Sequence, residues 1–310
     1  MTKYLVTGAM GCIGAWTVYH LLQQGKDVVS FDLSEDQQRL DLLMTEDEKA
    51  NVTFVTGDLT DSKQVQAVVD EHEITHVIHL AALQVPMCRA NPILGARVNV
   101  TGTVNVFEAV RNAGLNHLTY ASSIAVYGSP DLYDSPIISH DATKLPKTLY
   151  GVYKVANESL AAVYWQDYGI SSITFRPYTV FGLGRDQGLT SEPTKAMLAA
   201  AKGENFDISF GGNMQFHYAS DVALQFIAAA EQPITGAAGF NLGTPAISVQ
   251  SVADMIMDIV PGVTITAGDT LLPFPDGCDD SELKKAFDTV YETPLRTAIE
   301  ATIEGFRATF

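Results

Sequence analysis

Apolar positions in this chain alternate between short runs and stretches with one apolar face, and glycines stand at many of the joints. Lys3–Thr7 (KYLVT) is a short run with β-branched character that breaks into Gly8-Ala9-Met10-Gly11-Cys12-Ile13-Gly14. Gly14, Val18, Leu21, Leu22 and Gly25 then share one helical face, so the order is strand, glycine turn, helix. Asp27–Asp32 reads as a second strand, residues 52–55 as a third and 62–72 as a polar helix. Residues 76–82 form a nearly continuous apolar run, as expected of a strand buried on both faces. Val100, Val104 and Phe107 mark a long helix that Gly114 stops, and residues 118–121 lead a fifth strand into Ser122-Ser123. A helix over 150–168 and a sixth strand over 171–177 follow. Strict alternation of strand and helix predicts an α/β fold with a doubly wound parallel sheet.

Beyond Gly182 the pattern loosens into short strands (207–210, 240–242, 264–266) and helices with Val252, Met255, Ile256 and Ile259 on one face and Leu295, Ile299, Ile303 and Phe306 on another. This predicts two parts: residues 1–180 carry the sheet, and 181–310 form a smaller, mostly substrate-binding part interleaved with it. The stretch 128–148, with Pro130, Pro136 and Pro146, is too long to be idle in a compact protein and is expected to border the site.

The bulk numbers narrow the function. A chain of 310 residues, 46% hydrophobic and 18% charged, has ample core. Its 19 basic against 36 acidic residues give a net charge of -17, which disfavours nucleic acid and anionic membrane surfaces as partners. Cys12, Cys88 and Cys278 are odd in number and widely spaced, so neither a disulfide framework nor a zinc site is expected. With no signal-peptide pattern and no run of about 18 apolar residues, the expected location is the cytoplasm.

Glycine permits backbone to approach a bulky anion, and the N-H groups of a helix start face it, so the 8–14 turn suits a dinucleotide pyrophosphate. Its spacing is G-x-x-G-x-x-G rather than G-x-G-x-x-G, and a plain tight turn is the competing reading. Asp32 ends the second strand where a carboxylate accepts from adenosine ribose hydroxyls and repels a 2'-phosphate. Arg39 is the only base nearby, so NAD is expected over NADP; a solvated strand-end Asp is the alternative. Tyr150 and Lys154 stand one helical turn apart, and an adjacent ammonium favours the phenolate needed for general-base work. A surface helix pair would share that spacing. Ser123, closing a strand upstream, could donate to the reacting oxygen.

Together these marks resemble an extended short-chain dehydrogenase/reductase of the NAD-dependent sugar epimerase/dehydratase family, over nearly the whole length. The resemblance rests on the Gly8, Gly11, Gly14 turn, Asp32, Gly57-Asp58-Leu59, His79-Leu80-Ala81-Ala82, Asn99-Val100-Thr101-Gly102-Thr103, Ser122-Ser123 before Val126-Tyr127-Gly128, and Tyr150-Gly151 with Lys154. It implies a Rossmann fold, Tyr150 as acid/base, Lys154 on the nicotinamide ribose and lowering the Tyr150 pKa, and Ser123 on the substrate oxygen. It assigns cofactor contacts to Gly8, Gly11, Cys12, Ile13, Gly14, Asp32, Asp58, Leu59, Leu80, Ala81, Ala82, Asn99, Tyr150, Lys154 and Tyr178. A homodimer, paired through the helix around 100–110 and the helix after Tyr150, is implied as well.

Departures from the family are informative. Ile124 and Ala125 stand where its dehydratases carry Asp-Glu, so elimination of water is not expected. Thr179, Phe216-His217 and Pro275-Asp276-Gly277 stand where nucleotide-sugar epimerases usually have Asn, Arg-Asp and an arginine. A diphosphate would lose charge-assisted hydrogen bonds of about 1.5 to 3 kcal/mol each. The expected substrate is therefore a small polyhydroxylated compound, a free sugar or sugar acid, without a nucleotide. Arg185 is the candidate for its hydroxyl or carboxylate, against a loop salt bridge with Asp186; Thr179, His217 and Arg89 are weaker candidates, and a structural histidine is the competing reading of His217. His79 reads as core, and nothing suggests a metal. Three functions remain open: an NAD-dependent oxidoreductase acting on a secondary alcohol or lactol carbon, an epimerase working through a transient ketone, and a non-catalytic NAD-binding sensor.

Overall fold

A computed structural model describes residues 2–310. Seven strands, β1 (Lys3–Thr7), β2 (Asp27–Asp32), β3 (Val52–Thr56), β4 (His76–His79), β5 (His117–Ala121), β6 (Ser171–Arg176) and β7 (Ala237–Asn241), form one sheet in the order β3-β2-β1-β4-β5-β6-β7. Every neighbouring pair is parallel. Parallel strands need crossovers, and these are α1 (Cys12–Gln23), α2 (Ser62–Glu71), α3 (Gly102–Asn112), α4 (Leu149–Tyr168) and α5 (Ala219–Glu231).

Both faces of the sheet are covered. Val18 and Leu21 of α1 pack with Val222, Phe226 and Ile227 of α5 on one side. Val65 and Val69 of α2, Val106 and Val110 of α3, and Ala161 and Tyr164 of α4 cover the other. The doubly wound α/β architecture is thus present. Strand order reverses between β1 and β4, and there the crossovers diverge and leave a crevice at the carboxyl ends of the strands.

The last third of the chain adds Thr179–Phe181 paired with Asn213–Tyr218, and Phe206–Gly211 paired with Ile265–Leu271. It also returns to the main sheet, because β7 pairs with β6. The helices Glu192–Ala201, Val249–Ile259 and Leu295–Arg307 complete it.

Three expectations need correction. The fourth strand stops at His79, not residue 82, and the chain from Leu80 runs as irregular backbone against the glycine turn. The long helix before Gly114 is a series: Val85–Ala90, Pro92–Ala96, a π-helical turn Arg97–Thr101, then α3. Pro92 lacks an N-H, and Asn91 leaves the helical region to cap Leu94 N through its side chain. The 128–148 stretch contributes nothing to the crevice lining; Ile138 pairs with Cys278, and Lys144 is drawn to buried Glu158 on α4.

Candidate active site

The glycine turn has a steric reason for its composition. Gly8 has φ +71°, and a Cβ on Gly14 would lie 2.0 Å from the Gly8 carbonyl oxygen. That closeness brings the start of α1 up to the crevice. Gly11 caps α1 without a side-chain hydrogen bond and no acid stands in the first turn, whereas Asp61 caps α2 and Thr148 caps α4. The end of α1 therefore presents unsatisfied N-H groups and positive dipole to a cleft of about 700 Å³. Such an end fits a dinucleotide pyrophosphate.

Asp32 lines the same cleft and accepts from Met10 N at 2.9 Å and Ser34 N at 3.0 Å, fixing the glycine turn to the end of β2. Arg39 is fully engaged. Its Nη1 donates to the Met10 carbonyl at 2.7 Å, its Nε to the Gly184 carbonyl at 3.1 Å, and its Nη2 to both Asp186 oxygens at 2.7 and 3.0 Å. The base nearby in sequence is thus bound to a carboxylate of the chain itself.

On the opposite wall, Ser123 ends the segment after β5 and its Oγ caps the turn Ile124–Val126 by accepting from Ala125 N. Gly151 lets α4 start hard against that turn, because a Cβ there would lie 2.0 Å from the Ala125 carbonyl oxygen. The contact sets Tyr150 beside Ser123. Burial pushes the Tyr150 phenol up to about 12, while the Ser123 hydroxyl and the Arg185 charge pull it down and Cys88 pushes it slightly further up. Lys154 lies one turn on, its ammonium 5.5 Å from the Tyr150 ring centroid and donating to the Ala121 carbonyl at 2.6 Å. Burial lowers that ammonium to about 8, against the opposing charges of Cys88 and Glu158.

Glu158 continues the Tyr150, Lys154 row by another turn and holds the site from behind. It accepts from Ser122 Oγ at 2.5 Å and from Arg176 at 2.9 and 2.8 Å. Arg176 also donates to Tyr127 OH at 2.9 Å and Asn241 Oδ1 at 3.0 Å, so one network ties α4 to the ends of β5, β6 and β7.

Gly8, Gly11, Cys12, Ile13, Gly14, Asp32, Asp58, Leu59, Leu80, Ala81, Ala82, Ser123, Tyr150, Lys154, Tyr178 and Arg185 all line the cleft. Asn99 does not. It stands behind the wall, where its amide accepts from Leu83 N and donates to Leu83 O, pinning the 80–83 segment. Thr179 is turned away, its hydroxyl on Met214 Sδ at 3.0 Å. His217 also lies off the cleft; its Nδ1 accepts from Tyr178 N at 3.0 Å, and burial brings it down to about 3. Arg89 is exposed and off the cleft, and His79 is core, bonded to Thr7 and Thr103. The loop salt bridge with Asp186, the competing reading of Arg185, is absent among the described residues, since Asp186 pairs with Arg39. Sequence reading missed that pair and the Glu158 network. The four-residue spacing of Tyr150, Lys154 and Glu158 was the available signal for the second; the first joins residues 147 positions apart and left none.

Comparison with known proteins agrees with this geometry. Residues 4–243 match the family model described as the NAD dependent epimerase/dehydratase family. A UDP-glucose 4-epimerase of Mycolicibacterium smegmatis is 31% identical over 249 residues, covering 78% of this chain and 77% of that one. The fold matches a crystal structure of Thermus thermophilus UDP-glucose 4-epimerase in complex with NAD (TM-score 0.86, 23% identity, 100% of both chains). It also matches L-threonine dehydrogenase from Clostridium difficile (TM-score 0.84, 22% identity, 100% of this chain and 98% of that one). With an uncapped helix start, a carboxylate at the end of β2 and a Ser, Tyr and Lys set around one cleft, the chain belongs to the NAD dependent epimerase/dehydratase family, and NAD is its cofactor.

Proposed function

We propose that the chain is an NAD-dependent oxidoreductase that oxidises a secondary alcohol or lactol carbon of a small polyhydroxylated substrate without a nucleotide. The observation that carries this reading is the convergence of Ser123, Tyr150 and Arg185 on one cleft, while Thr179 and His217 are turned away from it. NAD, when bound, supplies the hydride acceptor and a positively charged ring. Tyr150 would take the proton of the substrate hydroxyl at its phenolate oxygen as that alcohol becomes a carbonyl. Ser123 donates a hydrogen bond to the same oxygen; the lowering influence on the phenol expected of Lys154 comes instead from the Ser123 hydroxyl and the Arg185 charge, and the Lys154 ammonium is available to the ribose. The remaining cofactor contacts fall to the glycine turn, Asp32, Asp58, Leu59, the 80–82 segment and Tyr178, with Asn99 acting through Leu83.

A homodimer joined through α4 is part of this reading. Ile93 is 76% exposed, Val152 47% and Val163 49%, an apolar face that water covers poorly.

Epimerisation is the second reading. The 31% identity to a UDP-glucose 4-epimerase favours it. The experiment follows 340 nm absorbance and product identity together, with NAD and a panel of free sugars, sugar acids, polyols and nucleotide sugars. NADH rising with an unactivated compound supports the dehydrogenase. An isomer formed from a nucleotide sugar without NADH overturns it in favour of the epimerase.

A further inference from the structure

Three basic side chains line the cleft: Arg39, Lys154 and Arg185. Arg39 is neutralised by Asp186, and the Lys154 ammonium, which already donates to the Ala121 carbonyl, is assigned to the cofactor ribose in the reading above. Arg185 stands apart from both. It makes no ion pair among the described residues, its Nε is buried with no hydrogen-bond partner, and its Nη2 reaches only Thr190 Oγ1 at a long 3.4 Å. Buried guanidinium N-H groups rarely go unpartnered unless something outside the chain completes them.

Surrounding charge narrows what that partner is. The chain carries a net -17, and Asp32, Asp36 and Asp58 share the cleft lining without an ion pair among the described residues, which disfavours a further highly charged anion beyond the pyrophosphate that the start of α1 suits. One unpaired guanidinium balances one negative charge, and its planar fork matches the two oxygens of a carboxylate. Leu189, Phe274 and Met87 also line the cleft, and the polar groups near the guanidinium are the uncharged Gln84 and Thr190, so among the described residues no second cation is there for a second negative charge. Arg185 and Tyr150 line the same cleft, so an anion held by the guanidinium shares that cleft with the hydroxyl that faces the phenol.

We infer that the substrate is a short hydroxy acid whose carboxylate is held by Arg185 beside the carbinol that faces Tyr150. This rests on the oxidoreductase reading above for the carbinol, and on Arg185 alone for the carboxylate. Arg185 acts as a specificity residue. It selects the acid over the corresponding alcohol, amide or aldose, because a neutral group would leave the guanidinium unpaired.

The test measures binding and turnover separately. NAD-loaded wild type, Arg185→Gln and Arg185→Lys are titrated with tartrate and malonate, with the neutral erythritol and malonamide, and with inorganic phosphate and UDP, following melting temperature. Unchanged NAD affinity establishes that each variant is folded. The expected result is that carboxylates stabilise wild type while neutral compounds do not. Arg185→Gln weakens carboxylate binding roughly 10- to 100-fold, and Arg185→Lys recovers part of it. Equal stabilisation of wild type and Arg185→Gln by carboxylates overturns the inference, as does a stronger Arg185-dependent response to phosphate or UDP. Turnover is read at 340 nm with hydroxy acids and their amides. Carboxylates that bind through Arg185 while no alcohol yields NADH would sink the oxidoreductase reading and support the carboxylate site. NADH formed from neutral alcohols with equal kcat/KM in wild type and Arg185→Gln would do the reverse.

Discussion

Arg176 and Glu158 face each other as a two-bonded ion pair, 2.9 Å and 2.8 Å, with both side chains only 5% exposed. The pair lies directly behind Ser122, so the charge that braces the site is buried rather than at its mouth. Removing one partner of a buried pair strands the other charge, and Glu158→Gln is expected to cost about 3–5 kcal/mol of stability. Denaturant unfolding of the variant checks this. A loss under about 1 kcal/mol would mean that the network is not what holds the ends of β5 and β6 together.

Acid sensitivity follows from the same pair and from buried histidines, in two windows. Burial would raise the Glu158 carboxyl, but Arg176 and Lys144 overcome it and hold the group at about 2 against an ordinary 4.5. Its folded-state pKa is depressed, so its contribution is complete above about 4.5 and is lost as pH falls towards 2. Burial likewise lowers His79 and His217 to about 3 from 6.5, so their contributions begin to fall away below 6.5. Melting temperature is therefore expected to decline from about pH 6.5 and to steepen below 4.5, with only the lower phase flattened in Glu158→Gln. A single transition unchanged in that variant would contradict the assignment.

Local signals carried most of the fold and half of the site. Strand-glycine-helix order at 3–23 and the Tyr150, Lys154 spacing lie within one or two elements, and periodicity reads them directly. What sequence could not show depends on which side of a strand faces the cleft. Thr179 and His217 lie near the site in sequence, yet one hydroxyl turns to Met214 and one imidazole to Tyr178 N. Val100, Val104 and Phe107 keep helical spacing, yet the α-helix begins only at Gly102, because Arg97–Thr101 forms a π-helical turn that this spacing does not distinguish. Arg39 with Asp186 is a contact between distant segments, and no periodicity encodes it.

That contact makes a prediction about cofactor choice. Arg39 shares the cleft lining with Asp32, and Asp186 and two backbone carbonyls engage it. Asp186→Ala releases the guanidinium from its carboxylate, and NADP affinity is expected to rise about tenfold relative to NAD, the effect of one new charge-assisted contact. Adding Arg39→Ala should cancel the gain. Fluorescence titration with both reduced cofactors reads it, and an unchanged NADP/NAD ratio in Asp186→Ala would rule the arginine out.

Association through α4 is open to a similarly direct test. Leu149, Val152 and Val163 recur at helical spacing on its outer side, beside Ile93 and Leu94. Val152→Lys puts a charge in the middle of that face without touching the cleft lining, and is expected to convert a dimer to a monomer in sedimentation velocity. A wild-type chain that sediments as a monomer at micromolar concentration would exclude this surface as an interface.

The acid/base role proposed for Tyr150 would leave a signature in the pH profile, because two neighbours bias the phenol in the same direction. Burial holds it at about 12, and the Ser123 hydroxyl and the Arg185 charge are what keep it from going higher. If the phenolate is the base, the rate of alcohol oxidation rises with pH below that pKa, up to tenfold per unit. Ser123→Ala and Arg185→Gln each remove a lowering influence, so their rising limbs should move to higher pH. Tyr150→Phe abolishes the limb and cuts kcat by about 10² to 10⁴ while leaving NAD affinity near wild type. The three profiles discriminate between roles. A base elsewhere in the cleft would leave the limb of Arg185→Gln in place and the Tyr150→Phe rate pH-dependent, and either result would remove Tyr150 from the proton transfer.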